Sequence, residues 1–187
     1  MSEPIRAFIA FDINNDEILK RLSEAQQRLM KTGADLKLVR PENIHITMRF
    51  LGNIQPTMVN KIYSEMEQAT FTSFAVEIRG LGVFPTPKYP CIIWAGIQKG
   101  AEQLRDIFNR LEPRLQDLGF KPDKKGFSPH LTIARVKTGR KKAELVHCVD
   151  ELADYGFGVL KADCLKLKKS TLTPKGPIYS TLKEVRR

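Results

Sequence analysis

Two stretches of the sequence share one pattern: IHITMRFL at residues 44–51 and HLTIARV at residues 130–136. In each stretch, polar and apolar residues alternate with a period of two, which predicts a half-buried β-strand. His45 and Thr47 therefore project from one face of the first strand, and His130 and Thr132 project from one face of the second. The apolar residues between them anchor each strand to a core.

The two strands belong to an internal repeat. His45 and His130 are separated by 85 residues, and the same offset places residues 93–98, IWAGIQ, over residues 8–13, FIAFDI. A unit of strand, helix, strand, helix and strand is thus used twice, in a single domain whose halves are about residues 1–85 and 86–187. We expect an α+β fold with two pseudo-symmetric lobes. Each lobe is an antiparallel sheet with helices on its outer face, and the H-x-T-x motifs face a central cleft.

The other elements are predicted from apolar periodicity and from helix-start and helix-end signals. Strands are expected at residues 6–13, 74–84, 91–97, 159–170 and 178–185, and helices at residues 16–31, 57–69, 101–116 and 140–153.

The composition is that of a basic globular protein. Among 187 residues, 31 Lys and Arg outnumber 21 Asp and Glu, which gives a net charge of +10, and 42% of the residues are apolar. This apolar content excludes disorder as the main state. The charge favours a polyanionic partner, and residues 121–126 and 139–142 are basic segments that flank the second motif. We expect a monomer in the cytoplasm, without a membrane segment or a secretory signal.

Two histidines on facing strands suit acid–base catalysis. An imidazole titrates near neutral pH, so one histidine can take a proton from a nucleophile while the other gives a proton to a leaving group. The hydroxyls of Thr47 and Thr132 can donate hydrogen bonds to phosphate oxygens as charge builds on them. A metal site is the competing use of His45 and His130. It would need further ligands, and no H-E-x-x-H motif or Cys/His cluster supplies them, so we expect neither a metal nor another cofactor.

The two motifs also carry a family resemblance. They resemble the paired H-x-T-x motifs of the two-histidine phosphoesterase superfamily, most closely its RNA 2′,3′-cyclic phosphodiesterase branch, whose members were formerly named 2′-5′ RNA ligases. The similarity extends over the chain, in HITMRFLG at 45–52, HLTIARV at 130–136, RAFIAFDI at 6–13, FPTPKYPCIIWAGI at 84–97 and GPIYSTL at 176–182.

The resemblance implies an activity and roles for the motif residues. Enzymes of this branch open a 2′,3′-cyclic phosphate at an RNA 3′ end and leave a 2′-phosphate, without a metal. By analogy, His130 is the general base that acts on water and His45 is the general acid for the departing 3′ oxygen. Thr47 and Thr132 bind the phosphate. The two sites are chemically near-equivalent, and the residues themselves give no reason for this order of roles.

Four further residues are candidates for the site. The resemblance assigns Arg135 to the phosphate, although strict alternation puts it on the face opposite His130, so the strand must end or bulge after Ala134. Arg49, in phase with His45, is the geometric substitute. Tyr179 matches a family position near the cleft. Phe84 could form part of an aromatic wall for a terminal base.

Two alternatives remain open at this point. The protein could act on 2′-5′ linkages, as a phosphodiesterase or in the reverse direction as a 2′-5′ RNA ligase. It could instead be a non-catalytic protein that binds RNA ends. The sequence does not distinguish tRNA fragments from other RNAs that end in a cyclic phosphate.

Overall fold

One antiparallel sheet of nine strands runs through residues 3–187, which are the residues that the computed structural model describes. Four α-helices and a short 3₁₀ helix, Pro41–Asn43, accompany it. The elements in chain order are β1 (Ile5–Asp12), α1 (Asp16–Lys31), β2 (Leu36–Leu38), β3 (His45–Ile54), α2 (Met58–Gln68), β4 (Phe74–Thr86), β5 (Tyr89–Ile97), α3 (Ala101–Asp117), β6 (His130–Val136), α4 (Lys142–Glu151), β7 (Gly156–Ala162), β8 (Cys164–Thr173) and β9 (Gly176–Arg186).

The sheet consists of two halves that meet at its centre. The strand order is β7-β4-β5-β6-β3-β1-β8-β9, so β6-β5-β4-β7 and β3-β1-β8-β9 form mirrored sets. The repeats exchange strands between these halves. β4 pairs with β5 through the two-residue turn at 87–88, and β8 of the second repeat pairs with β1 of the first. The predicted α+β class and the paired lobes are confirmed, and each lobe contains strands from both repeats.

The centre of the sheet opens where β3 and β6 diverge. The two strands share one residue pair, Ile46 with Leu131, and β2 then pairs with the far end of β6. β2 was not predicted, because three residues are too short to show a period. The strand expected at residues 159–170 is instead two strands, β7 and β8, which are separated at Asp163.

The helices cover one side of the sheet with their apolar stripes. In α1 the buried residues Ile18, Leu22 and Leu29 follow the helical period, and the side chain of Asn15 caps the helix by accepting a hydrogen bond from the Ile18 N–H at 3.0 Å. Burial of this stripe leaves the other face of the sheet free for polar side chains. None of the helices in the described part of the chain is long and apolar enough to cross a membrane.

Candidate active site

The two H-x-T motifs meet at the junction of the two half-sheets. β3 and β6 pair through Ile46 and Leu131. Ile46 lies between His45 and Thr47, and Leu131 lies between His130 and Thr132. In an antiparallel pair this register puts His45 opposite Thr132 and Thr47 opposite His130. The two histidines are then diagonal neighbours, and the Cα atoms of such a pair lie about 7–8 Å apart. Both imidazoles line the same cavity.

Both imidazoles are held in the same way. Nδ1 of His45 lies 2.7 Å from the carbonyl oxygen of Asn43, and Nδ1 of His130 lies 2.7 Å from that of Ser128. A carbonyl oxygen can only accept, so Nδ1–H donates in each ring and Nε2 remains for chemistry. Nε2 of His45 is 2.8 Å from the Thr47 hydroxyl. Each histidine is therefore fixed in the tautomer that acid–base catalysis requires.

The surroundings of His45 change its proton affinity. Burial lowers the pKa of its imidazole, and the positive charge of Lys168 lowers it further, while the hydrogen bond to the Asn43 carbonyl partly offsets these effects. A protonated His45 therefore gives up its proton more readily than an exposed histidine would.

A β-bulge brings Arg135 to the same face as His130. Thr132 and Ala134 pair with consecutive residues of β5, so Ile133 has no partner of its own. The extra residue reverses the alternation, and Arg135 lines the cavity together with His130 and Thr132. The expected bulge is present, and it lies at Ile133 rather than after Ala134.

Buried polar contacts hold this bulge in place. The carbonyl oxygen of Ile133 accepts hydrogen bonds from the backbone N–H of Val39 at 2.9 Å and from the side-chain amide of Gln26 at 2.8 Å. The same amide donates to the Val39 carbonyl at 2.7 Å, and Gln26 is only 3% exposed. The buried amide thus gives the carbonyl of the bulged residue a second hydrogen bond beside that from Val39.

A second bulge removes Arg49 from the site. In β3, Thr47 and Arg49 pair with consecutive residues of β1, so Met48 is the extra residue. The structure therefore places Arg49 off the cavity, contrary to strict alternation, and it forms a salt bridge with Glu112 of α3 at 2.6 Å. Phe50, which is 66% exposed, lines the cavity in its place.

Tyr179 and Phe84 each lie beside one histidine. The ring of Tyr179 lines the cavity with its centroid 5.4 Å from that of His45, and burial raises the pKa of its hydroxyl. Phe84 packs edge-on to His130 at 5.0 Å and against Trp94 at 5.1 Å. Phe84 supports the His130 ring from the side and is not among the residues that line the cavity.

The cavity between the motifs has a volume of about 620 Å³ and a positive lining. Among the described residues its wall carries basic side chains and no acidic ones. These basic residues are Arg6, Lys37, Arg40, Arg135 and Lys175. The wall also holds the aromatic rings of Phe8, Phe50 and Tyr179. Such a lining fits an anionic ligand that carries a flat ring.

Of these basic residues, only Arg135 was predicted from the sequence. The basic segments that the sequence indicated instead are residues 121–126 and 139–142. Neither segment lines the cavity. Lys37 and Arg40 come from the unpredicted β2 and the loop after it, and Lys175 comes from the β8–β9 turn. Nη2 of Arg40 donates to the Lys175 carbonyl at 2.9 Å, which joins two parts of the wall that are remote in sequence. Within residues 3–187, no group of three or more His, Cys, Asp or Glu side chains is placed to hold a metal ion.

The fold and the opposed H-x-T pairs define a two-histidine phosphoesterase. The chain belongs to the family described as the AKAP7 2′5′ RNA ligase-like domain, whose model matches residues 7–186. Two similar relatives are both named RNA 2′,3′-cyclic phosphodiesterase. One, from Aeropyrum pernix, is 39% identical over 89% of this chain and 94% of its own. The other, from Methanothermobacter thermautotrophicus, is 34% identical over 97% of this chain and 98% of its own.

Solved structures agree with the architecture. A crystal structure of a Thermus thermophilus protein matches with a TM-score of 0.79 and 25% identity, and the match covers 97% of both chains. Escherichia coli LigT in its apo form matches with a TM-score of 0.78 over 99% of this chain and 98% of that chain. At 19% identity, this second match supports the fold alone. The family resemblance in the sequence is confirmed.

Proposed function

We propose that this protein is an RNA 2′,3′-cyclic phosphodiesterase that opens a terminal cyclic phosphate and leaves a 2′-phosphate. The observation that carries the proposal is the pair of facing histidines, each with Nδ1 bound to a carbonyl and Nε2 left for chemistry, in a cavity lined by basic groups. Relatives of nearly full length bear the name of this activity. The substrate is RNA, and tRNA fragments are one source of such ends. The protein acts as a monomer in the cytoplasm.

The reaction needs one proton acceptor and one proton donor. Nε2 of His130 takes a proton from water as the water oxygen attacks phosphorus. The bond between phosphorus and the 3′ oxygen breaks, and Nε2–H of His45 gives its proton to that oxygen. The products are a 2′-phosphate and a 3′ hydroxyl, with His130 protonated and His45 neutral. Proton exchange with solvent restores the starting state.

Three groups hold the phosphate during this step. The hydroxyls of Thr47 and Thr132 and the guanidinium of Arg135 line the cavity beside the imidazoles. They donate hydrogen bonds to the non-bridging oxygens, where negative charge increases in the transition state. In the free site the Thr47 hydroxyl contacts Nε2 of His45. A bound phosphate oxygen replaces that contact and frees Nε2 for proton transfer.

The rest of the RNA lies along the cavity wall. Phe50 and Tyr179 present aromatic surface on which the terminal base stacks. Arg40 and Lys175 form a basic rim that neutralises the preceding phosphates. This arrangement favours an oligonucleotide over an isolated cyclic mononucleotide.

The roles of the two histidines can be separated with a sulfur substrate. We expect His45→Ala and His130→Ala each to lose about 10² to 10⁴-fold in rate on the natural substrate. When the 3′ oxygen is replaced by sulfur, the thiolate leaves without a proton. His45→Ala should then recover most of its rate, whereas His130→Ala should not. Recovery of His130→Ala alone would reverse the roles, and normal turnover of either folded variant would remove that histidine from the mechanism.

A second candidate activity is the joining or cleavage of 2′-5′ linkages. It is favoured by the family description, which names a 2′5′ RNA ligase-like domain. In the joining direction, the same acid–base pair would open the cyclic phosphate with an RNA 5′ hydroxyl as the nucleophile in place of water, and cleavage of a 2′-5′ linkage is the reverse of that step. A 2′-5′-linked dinucleotide and a cyclic-phosphate RNA offered in the same assay separate the two activities by relative kcat/KM.

A further inference from the structure

The two histidines, equivalent in their own strands, have different neighbours in the next strand. His45 of β3 pairs with Asp12 of β1, whereas His130 of β6 pairs with Gly96 of β5. Asp12 and Gly96 therefore occupy equivalent positions in β1 and β5, and they are 84 residues apart in the sequence. The offset of 85 read from the sequence holds for the motif strands and is one too large for these first strands.

The same asymmetry continues into the third strand of each half-sheet. Phe8 of β1 pairs with Lys168 of β8, and its equivalent, Ile92 of β5, pairs with Phe84 of β4. Lys168 and Phe84 therefore occupy matching places. Phe84 packs its ring edge against His130 at 5.0 Å. The position beside one histidine is aromatic, and the matching position in the other lobe carries a charge.

Lys168 belongs to a charged cluster of three side chains in the first half-sheet. Asp12 accepts hydrogen bonds from Nζ of Lys168 at 2.5 Å and from Nζ of Lys166 at 2.9 Å. The side chains of Lys168, Lys166 and Asp12 are 7%, 15% and 18% exposed. Burial raises the pKa of Asp12, but the hydrogen bonds from the two lysines outweigh it and the net direction is down. By formal charge, two lysines against one carboxylate leave the cluster with one excess positive charge.

This cluster faces His45 together with two other groups. The charged and titratable side chains around the imidazole are Asp12 of β1, Lys166 and Lys168 of β8, Tyr179 of β9 and His130 of β6. Nζ of Lys168 also lies 6.0 Å from the centre of the Tyr179 ring, which itself contacts His45. Lys168 is thus fixed on two sides, by a carboxylate and by an aromatic ring.

We propose that Lys168, held in place by Asp12, is a positioning residue that makes His45 electrostatically different from His130. A nearby excess positive charge disfavours the imidazolium form. Protonated His45 then releases its proton easily, as a donor to a leaving group must, while the matching place beside His130 holds the ring of Phe84. The proposal rests on the proposed function only for its effect on rate. The electrostatic effect on His45 exists in the free protein.

Two variants that break the same ion pair test the proposal, because they change the charge in opposite directions. Lys168→Met removes a positive charge, so we expect His45 to titrate at higher pH than in the wild type. Asp12→Asn removes the negative charge and keeps both lysines, so we expect His45 to titrate at lower pH. The readout is an NMR titration of the imidazole ¹⁵N resonances without substrate. Lys169→Met is the matched control, since the neighbouring residue points to the opposite face of β8 and should leave His45 unchanged.

The rate profile gives a second readout. The limb of the plot of kcat/KM against pH that reports His45 should move by roughly half a pH unit, upward in Lys168→Met and downward in Asp12→Asn, while the other limb stays in place. Titration midpoints that do not move, or that move in the same direction in both variants, would overturn the proposal. If Asp12→Asn does not fold, Lys166→Met takes its place: it removes a second positive charge from the cluster and should also move the His45 midpoint upward, and an unmoved midpoint in both lysine variants would overturn the proposal. Loss of hydrolysis on every RNA tested would refute the proposed function and leave the titration result standing.

Discussion

The two β-bulges predict opposite outcomes for the substitution of two arginines. Arg135 lies five residues after His130, and Arg49 lies four residues after His45. Arg135 faces the cavity, and Arg49 faces α3. We expect Arg135→Met to lose activity and keep stability, and Arg49→Met to lose stability and keep the activity of each folded molecule. Strict alternation along both strands would predict the reverse.

The expected loss of stability in Arg49→Met follows from the burial of its ion-pair partner, Glu112. Arg49 and Glu112 are only 10% and 11% exposed in their side chains, so the substitution leaves a shielded carboxylate without a counter-charge. Breaking such a pair costs about 3–5 kcal/mol. Glu112 keeps hydrogen bonds from the Asp123 N–H at 2.9 Å and the Gln116 amide at 3.4 Å, so we expect the lower end, about 3 kcal/mol. For a chain of this size that lowers the Tm by about 6–12 °C. The double variant Arg49→Met/Glu112→Met should recover much of this loss, because no unpaired charge remains.

The same ion pair contributes a pH-dependent part of the stability. Burial raises the pKa of Glu112, but the Arg49 guanidinium and the Asp123 N–H outweigh it and hold that pKa below the ordinary value of 4.5. A depressed pKa in the folded state stabilises the protein above the unfolded value, and this contribution is lost as pH falls through the folded value. The difference in the free energy of unfolding between the wild type and Glu112→Gln should therefore become smaller below about pH 4.5.

The magnitude for Arg135 concerns catalysis. Arg135 is exposed and makes no ion pair with any residue in the range 3–187. Its removal should change the free energy of unfolding by no more than about 0.5 kcal/mol. Loss of one charged donor to the phosphate should lower kcat/KM by about 10²-fold.

Chemical denaturation and steady-state kinetics on the same protein preparations measure both quantities. Arg49→Met serves as the control for Arg135→Met, since both remove one guanidinium from a strand that carries an H-x-T motif. A stable Arg49→Met with impaired turnover, or an unstable Arg135→Met with normal turnover, would refute the placement of these side chains by the bulges.

Three further outcomes are expected. The plot of kcat/KM against pH should be bell-shaped, and the limb that reports His45 should lie below 6.5 because burial lowers the pKa of that imidazole; a monotonic profile, with chemistry rate-limiting, would contradict the two-histidine mechanism. Arg40→Met and Lys175→Met should each raise KM for an oligonucleotide but not for a cyclic mononucleotide. Each should also reduce the slope of log affinity against log salt concentration by about 0.7, and unchanged slopes would mean that the RNA binds elsewhere. Phe50→Ala should weaken RNA binding by about 1–3 kcal/mol without loss of stability, and equal affinity in a fluorescence titration would exclude stacking on this ring.

The sequence was sufficient for the parts of the fold that periodic patterns determine. His45, Thr47, His130 and Thr132 are placed correctly on one face because regular alternation holds over three residues. It fails afterwards, since a single extra residue in each strand reverses the faces. These bulges depend on contacts with remote residues, such as Gln26 at the Ile133 carbonyl, which periodicity does not contain.

The basic wall was not predictable for a related reason. Lys37 lies on a strand of three residues, and Lys175 lies in a hairpin turn more than 130 positions away. Long-range pairing brings them to one cavity, through the contact of Arg40 with the Lys175 carbonyl. The electrostatic difference between the two histidines likewise arises from β1 and β8, which contact each other only in the folded sheet.

The most direct test of the central claim is product identification on a defined RNA. The purified protein is incubated, in excess chelator, with a short RNA that ends in a 2′,3′-cyclic phosphate, and the terminal phosphate is located by NMR or by sensitivity to phosphatase and periodate. We predict a 2′-phosphate with a free 3′ hydroxyl, formed at a rate that falls by about 10² to 10⁴-fold in His45→Ala and in His130→Ala. A 3′-phosphate would contradict the assigned leaving group. Tight binding of the RNA with no turnover would contradict catalysis itself and favour a protein that only binds RNA ends.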